Sequence, residues 1–359
     1  MRADPAIDCV PSEGLILLPR ESLKALSEFV RVAAKAERAE ILVECALPGN
    51  AARGHYLMTA EILGGPMAGR QALVLRGESQ EPGPHALAGA EEFAVRQAAF
   101  GAGMTTPEPL WLEPSGDVLG KPFMLLRHAA GVTDIATLQD ALSEEEGDRL
   151  AYRLGQELAR LHRISVETAP AEIGFLPRPG ADWAEQRATA WRAALDDMAP
   201  QPCFEWAINW FLDHAPKVES FAPCHRDLRL GNFVVDGEQL VGILDFDQVR
   251  WSDPMEDLGW LCARGARHGL PEREAGGIGS REALYDGYKD VSGHEVDDRK
   301  VRFWEIAAAL RQGIDALKRA AHASGDAEQG LRAMLTGLRS LEAEYDLLME
   351  IDRFSAEGA

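Results

Sequence analysis

No CxxC pair, no apolar run long enough to cross a bilayer and no excess of positive charge occurs in this chain of 359 residues. Each absence excludes something. The five cysteines, Cys9, Cys45, Cys203, Cys224 and Cys262, are scattered and odd in number. That predicts free thiols in a reducing compartment, and neither a disulfide frame nor a zinc site. The N-terminal stretch carries Asp4 and Asp8 and no long apolar segment, so no signal peptide is expected and the expected location is the cytoplasm. No membrane partner is expected. The formal net charge of −21 argues against nucleic acid, since phosphate-backbone binding needs a basic face. A nucleotide remains compatible, because a few local cations and Mg²⁺ can meet its charge.

What is present is ordinary for a globular chain: 46% hydrophobic and 26% charged residues, over a length that suits two domains or lobes. The stretch "RESLKALSEFVRVAAKAE" predicts a helix. Strand texture follows in "AEILVECAL", "LMTAEIL" and "QALVLR", broken by "PGNAARGHY" and the turn "GGPMAGR". A helix in "GAEEFAVRQAAFGAG" and two strands around "PSGD" complete a small antiparallel sheet ending near residue 130. Thereafter the pattern is helical. Ser143 and Glu146 form a capping box ahead of Leu150, Leu154, Leu158 and Leu161. Two Trp-bearing helices precede a hairpin that ends in "GILDFDQV". "PEREAGGIGSRE" predicts a surface loop. Leu331, Met334, Leu338, Leu341, Tyr345 and Leu348 keep a helical stripe near the C-terminus.

The chemistry concentrates in "HRDLRLGNFVVDG", His225 to Gly237. His225, Asp227, Asn232 and, after a strand and a turn, Asp245 form an ordered set. Asp227 on a loop suits acceptance of a hydroxyl proton. Asn232 offers a carbonyl oxygen, and the returning strand "VGIL" brings Asp245 back beside it. Two hard oxygen donors at one point suit Mg²⁺. A base plus a metal clamp is what phosphoryl transfer needs. The competing account is a plain turn-forming set, since Asp and Asn are common in turns.

This stretch resembles the catalytic and metal loops of eukaryotic-like kinases, in the version found in the aminoglycoside phosphotransferase and choline kinase superfamily. The metal loop reads "LDFD", and "WSDPMEDLGWL" follows it in place of a protein-kinase A-P-E segment. "LARLH" (Leu158 to His162) is similar to the family's helix ahead of the catalytic loop. "RFWEIAAALRQG" and "EYDLLMEI" resemble a subgroup related to the kinase-like domain that accompanies some acyl-CoA dehydrogenases. The likeness covers nearly the whole chain past residue 40.

The resemblance implies an α+β, two-lobed protein-kinase-like fold. The N-lobe, residues 1–130, is antiparallel sheet plus helix with an N-terminal helical extension; the C-lobe, 131–359, is mostly helical. It implies an enzyme that transfers the γ-phosphate of ATP or GTP to a hydroxyl on a small molecule, with Mg²⁺. Asp227 becomes the catalytic base, and Asn232 and Asp245 the Mg²⁺ ligands. His225 braces the loop, Asp247 touches a second metal or its water, and Asp257 holds the catalytic loop. The phosphate-covering loop falls on Gly49 and Gly54. The strand that should carry a phosphate-binding Lys reads "ALVLR", so Arg76 takes that place, with Glu92 as its ion-pair partner and Glu91 as the fallback. Arg226 stands where the superfamily usually has Gly, and is expected to pair with a local carboxylate. Two alternatives stay open. One is a kinase-like protein that keeps the fold and has lost the chemistry, which Arg76 favours and the intact Asp227, Asn232 and Asp245 disfavour. The other is a protein kinase, against which the missing activation segment counts. Separately, the faces of Trp183, Trp191, Trp206 and Trp210, with nearby acids, offer a lead to a bound cation. The oligomeric state is open.

Overall fold

The structure is a computed structural model and describes residues 18–47, 55–78, 86–321 and 327–357. In chain order the elements begin with α1 (Arg20–Ala33), β1 (Arg38–Ala46), β2 (His55–Leu63), β3 (Gly69–Gly77), α2 (Gly89–Gly101), β4 (Pro109–Glu113) and β5 (Phe123–Arg127). They continue with α3 (Ile135–Ala141), α4 (Glu144–His162), α5 (Trp183–Leu195), α6 (Pro202–His214), β6 (Ala222–Cys224), β7 (Phe233–Asp236) and β8 (Gln239–Ile243). The last are β9 (Arg250–Ser252), α7 (Met255–Cys262), α8 (Arg281–Ser292), α9 (Asp298–Ala321) and α10 (Ala327–Glu357). Two compact units divide the chain. The first takes residues up to Leu138 with Ala169–Phe175 and Gly231–Val249, and the second takes Gln139–Thr168, Leu176–Leu230 and Arg250 onward. Among the described residues no helix is long and apolar enough to cross a membrane.

The first unit is built on a five-stranded antiparallel sheet in the order β1-β2-β3-β5-β4. Strand alternation sorts its side chains. Leu73 and Leu75 of β3 and Phe123 and Leu125 of β5 pack with Leu26 and Val30 of α1. Met124 and Leu126 point the other way and pack with Phe93 of α2. Arg76 is one residue on from Leu75 and opposite Met124, so it shares the α2 side. The hairpin β7–β8 belongs to this unit too. Its two-residue turn, Gly237-Glu238, joins Asp236 to Gln239, and Gly237 at φ 60° supplies the positive dihedral such a turn requires.

The second unit is mostly helical. Ser143 caps α4 as its sequence predicts: its Oγ accepts from Glu146 N at 3.3 Å, and Glu146 accepts from Ser143 N at 2.7 Å. Leu150, Leu154, Leu158 and Leu161 are all buried beneath it. Helices α5, α6, α9 and α10 enclose an aromatic core of Trp191, Trp210, Phe204, Phe211, Phe303 and Trp304. Ala343, Leu347, Ile351 and Phe354 are the face of α10 that joins it. The stripe from Leu331 to Leu348 lies instead on the exposed side.

Two expectations are corrected here. "PEREAGGIGSRE" is a surface loop only in its first half, because Ala275–Gly279 is buried. Its backbone tucks in by hydrogen bonds from Ala275 N to Gly279 O and from Gly276 N to Leu261 O, and small residues allow that approach. Nor are all five thiols free: Cys203, Cys224 and Cys262 are, but Cys45 is disulfide-bonded.

Helices α4 and α8 meet at glycines. A Cβ at Gly155 would stand 2.1 Å from Leu284 O, and one at Gly287 would stand 1.9 Å from Tyr152 O. An exposed helical Gly gains about 1 kcal/mol on becoming Ala. Gly287→Ala is expected to do the opposite and to lose roughly 1–3 kcal/mol by overpacking. Urea unfolding measures it, and a rise in stability would contradict this packing.

Candidate functional site

In the first unit, the open end of the β7–β8 hairpin carries Asn232 and Asp245. Leu244 N donates to Asn232 O at 2.9 Å, and Phe233 pairs with Ile243, so the two residues flank the same end of the ladder. Asp245 sits in the left-handed region, φ 64° and ψ 68°, a conformation that costs a non-glycine residue on the order of 1–3 kcal/mol. Strain of that size marks a position held for a reason.

Arg76 reaches this end. Its Nη2 donates to Asp245 Oδ1 at 2.7 Å and lies 3.1 Å from Glu92 Oε2. Glu92 is thus its partner on α2. Glu91 is occupied elsewhere, accepting from Ala88 N at 3.0 Å. A second arginine completes the cluster: Arg96 donates to Glu92 Oε1 from Nε at 3.0 Å and from Nη2 at 2.7 Å. Its guanidinium also lies 5.0 Å from the ring centre of Phe246. Burial opposes the charge of Arg76, but Glu92, Asp245 and Asp247 together raise its pKa above the ordinary value. Burial pushes the Glu92 carboxyl up, and Arg76 and Arg96 outweigh it, holding that carboxyl below the usual range. Arg76 and Glu92 are thus each held in the charged form, while burial lowers the pKa of Arg96. A cavity of about 160 Å³ opens beside it, lined by Arg76, Glu78, Glu92, Met124 and Asp247 among others.

In the second unit the segment His225–Asp227 is held from three sides. Arg226 adopts φ 64°, the region that glycine favours, which is the local conformation its sequence position demands. Asp257 supports it: its carboxylate accepts from His225 N at 2.6 Å and from Arg226 N at 2.7 Å. His162 Nε2 lies 3.1 Å from the same carboxylate, and His162 Nδ1 lies 3.1 Å from Tyr288 Oη. His225 Nδ1 accepts from Asp227 N at 3.3 Å. Arg226 pairs with Glu256 at 2.9 Å, and its carbonyl accepts from Arg311 at 2.6 Å. Glu256 also receives both Nη groups of Arg187, at 2.9 and 3.1 Å. Asp227 Oδ1 accepts from Arg229 Nε at 3.2 Å.

His162, Cys224 and Asp257 bring one ligand-type atom each to within 4.8 Å of one another. These atoms are already engaged in the brace, and Cys224 donates to Asp253 O at 3.3 Å. Burial raises the Cys224 thiol well above its ordinary value and Cys262 to about 12, so neither supplies a thiolate. Of the tryptophans, Trp206 is 44% exposed, and the others are engaged within the chain. Arg187 itself lies 4.9 Å from the ring centre of Trp304 and 6.0 Å from that of Trp183, and Trp191 and Trp210 are core residues.

Gly49 and Gly54 lie outside the described residues. The structure brings together Arg76, Glu92, Asn232 and Asp245 in one unit and places Asp227 in the other. Sequence reasoning passed over Arg96, although its place four residues after Glu92 on a helix was a signal. It passed over Glu256, Arg187 and Arg311 as well. Glu256 is next to Asp257 in "DPMEDL"; the two arginines are distant in sequence and had no signal.

A kinase-like α+β fold is the class these elements define. The chain has a TM-score of 0.70 to an aminoglycoside phosphotransferase-like protein from Ralstonia eutropha, at 18% identity over 92% of this chain and 98% of that one. It has a TM-score of 0.54 to the GDP complex of aminoglycoside 2′-phosphotransferase-IIIa, at 16% identity over 91% and 99% of the two chains. A choline/ethanolamine kinase family protein from Mesorhizobium loti gives 0.50, at 18% identity over 84% and 92%. The phosphotransferase enzyme family model matches residues 68–324, well over half of the chain. The chain belongs to that family. It is also 27% identical to acyl-CoA dehydrogenase family member 11 of Gallus gallus over 201 residues, which is 54% of this chain and 25% of that protein. The chain therefore matches about a quarter of the length of that relative.

Burial would raise the Glu256 carboxyl, but Arg187 and Arg226 dominate and lower it from 4.5 to about 2. Its folded state binds the proton less readily than the unfolded chain. The stabilisation, about 3 kcal/mol, is therefore complete above roughly pH 5 and lost as the pH falls towards 2. Glu256→Gln is expected to cost roughly 3–5 kcal/mol at pH 7, because two buried guanidinium groups lose their partner. It is also expected to flatten the acid limb of stability against pH. Denaturant titrations between pH 7 and pH 3 test both.

Proposed function

We propose that this phosphotransferase is a small-molecule kinase that passes the γ-phosphate of ATP or GTP to an alcohol. The observation that carries the proposal is the cluster at the open end of β7–β8. A buried cation, Arg76, touches Asp245, and Asn232 flanks the same end. A nucleoside triphosphate calls for that combination of a fixed cation and hard oxygen donors. Arg76 takes the role a lysine would have, binding phosphate oxygens with a charge that no working pH removes. Glu92, backed by Arg96, aims it. Asn232 and Asp245 would hold Mg²⁺, which when bound neutralises phosphate charge, and their carbonyl and carboxylate oxygens fit that ion. Asp227 accepts the proton of the acceptor hydroxyl. Its segment is held for the task by Asp257 and His225.

Arg229 bears on the acceptor. Its guanidinium stands against Asp227 and its side chain is 43% exposed. An acceptor with an anionic group near its hydroxyl suits this neighbourhood better than a polycation. Aminoglycosides and choline, named by the structural neighbours, are cationic; hydroxy acids and hydroxyacyl thioesters are the class to test first. A second reading, a kinase-like protein that binds without turnover, draws on the contact of Arg76 with Asp245, since the arginine occupies an oxygen that a metal would need.

Thermal unfolding with ATP and with GTP, each with and without Mg²⁺, tests the nucleotide site. Ligand at a hundredfold its Kd adds about 2.7 kcal/mol of stability, and the gain is expected only with Mg²⁺ and not in Asp245→Ala. Phosphate transfer to a panel of hydroxy acids, sugars and amino alcohols tests the rest. Asp227→Asn is expected to lower kcat by about 10²–10⁴ while leaving nucleotide binding in place. Retained turnover in Asp227→Asn sinks the assignment of the base. Binding without transfer to any acceptor favours the second reading.

A further inference from the structure

Helix α10 is apolar on two faces, and the chain's own core covers one of them. Leu331, Met334, Leu338, Leu341, Tyr345 and Leu348 are 53–70% exposed. Leu335 and Met349 widen the band at 55% and 43% exposed. Lone exposed leucines need no explanation, but an unbroken apolar band marks an interaction surface. Eight large apolar side chains, each about half exposed, offer on the order of 800 Å² per copy, the share one partner gives to a standard interface.

The spacing identifies the partner. The six stripe residues are separated by 3, 4, 3, 4 and 3 positions, a repeat of 3.5 and not of 3.6. That is the period of a coiled-coil seam, which needs a second helix of the same period. The order 3-4-3-4-3 reads the same in both directions. Turned end over end about a point between Arg339 and Ser340, the stripe meets its own copy in full register: Leu331 with Leu348, Met334 with Tyr345, Leu338 with Leu341. Charge agrees with this direction. Arg339 and Glu342 are the exposed charges nearest the midpoint. An antiparallel pair puts Arg339 of each copy near Glu342 of the other, whereas a parallel pair sets each residue level with its own like-charged counterpart. We propose that α10 is a dimerisation helix that pairs antiparallel, through this stripe, with α10 of a second copy of the chain. The contact is isologous, so it closes at two.

Sedimentation of the full chain from low to high micromolar concentration should give a species of twice 39.2 kDa. Leu338→Glu combined with Leu341→Glu should reduce it to the monomer without lowering the melting temperature beyond the loss of the dimer. Cross-linking remains decisive even where that variant folds poorly. In a Cys203→Ser background, Leu331→Cys mixed with Leu348→Cys should form a disulfide between chains under mild oxidation, and neither variant alone should. Positions 331 and 348 are about 26 Å apart along one helix, so the pair cannot close within a chain. A monomer throughout the range, or a dimer that survives the glutamates, overturns the proposal. Self-cross-linking of Leu331→Cys alone overturns the antiparallel direction.

Discussion

The arrangement of the second unit's polar segment depends on one carboxylate. Asp257 is fully buried and receives two consecutive backbone N–H groups, those of His225 and Arg226. A left-handed arginine would otherwise be a liability, both for its dihedral strain and for the two amide groups it turns inward. The carboxylate offsets both costs with charge-assisted hydrogen bonds. His162, whose ring contacts Tyr288 on its other nitrogen, fixes the carboxylate in turn. Asp227 follows directly on this braced pair, and its own N–H donates to His225 Nδ1.

A second constraint is that the most deeply buried guanidinium groups among the described residues meet carboxylates. Arg76 and Arg96 share Glu92 in one unit; Arg187 and Arg226 share Glu256 in the other. In each case a single acid serves two arginines; loss of Glu256 leaves Arg187 and Arg226 without their carboxylate at once, whereas Arg76 keeps Asp245 if Glu92 is lost. The economy of this design is bought with rigidity. Each arginine's planar fork fixes the relative position of the elements it joins, β3 to α2 in the first unit and α5 to α7 in the second. The net charge of −21 coexists with these cationic interiors because most of the acids lie outside them.

Family membership limits what the fold can say about substrate. Neighbours with the same architecture carry names for aminoglycosides and for choline or ethanolamine. One scaffold serves all of them, so the fold does not give the acceptor; on the proposed function it is read from side chains near Asp227. Here Arg229 is the informative one. The dimer seam on α10 is likewise a property of side chains, laid on a helix whose other face belongs to the core.

Much of this was legible in the sequence. Alternation in "QALVLR" put Arg76 on the face opposite Leu75, the capping box started α4 at its observed residue, and the hairpin pattern put Asn232 and Asp245 at one end of a ladder, because periodicity, capping and turn chemistry are local. The pairing of Arg226 with a nearby carboxylate was legible too, since a buried charge must find a partner. Which carboxylate it found, Glu256, was not. Nor was the meeting of Arg76 with Asp245, 169 residues apart, or the use of Arg311 to hold the carbonyl of Arg226. The exposed side of the C-terminal stripe, the buried half of "PEREAGGIGSRE" and the bonded Cys45 were also decided in three dimensions. The physical reason is the same for all of them: a sequence states what each residue can pair with nearby, but only packing settles which distant group arrives first and which face is left for water.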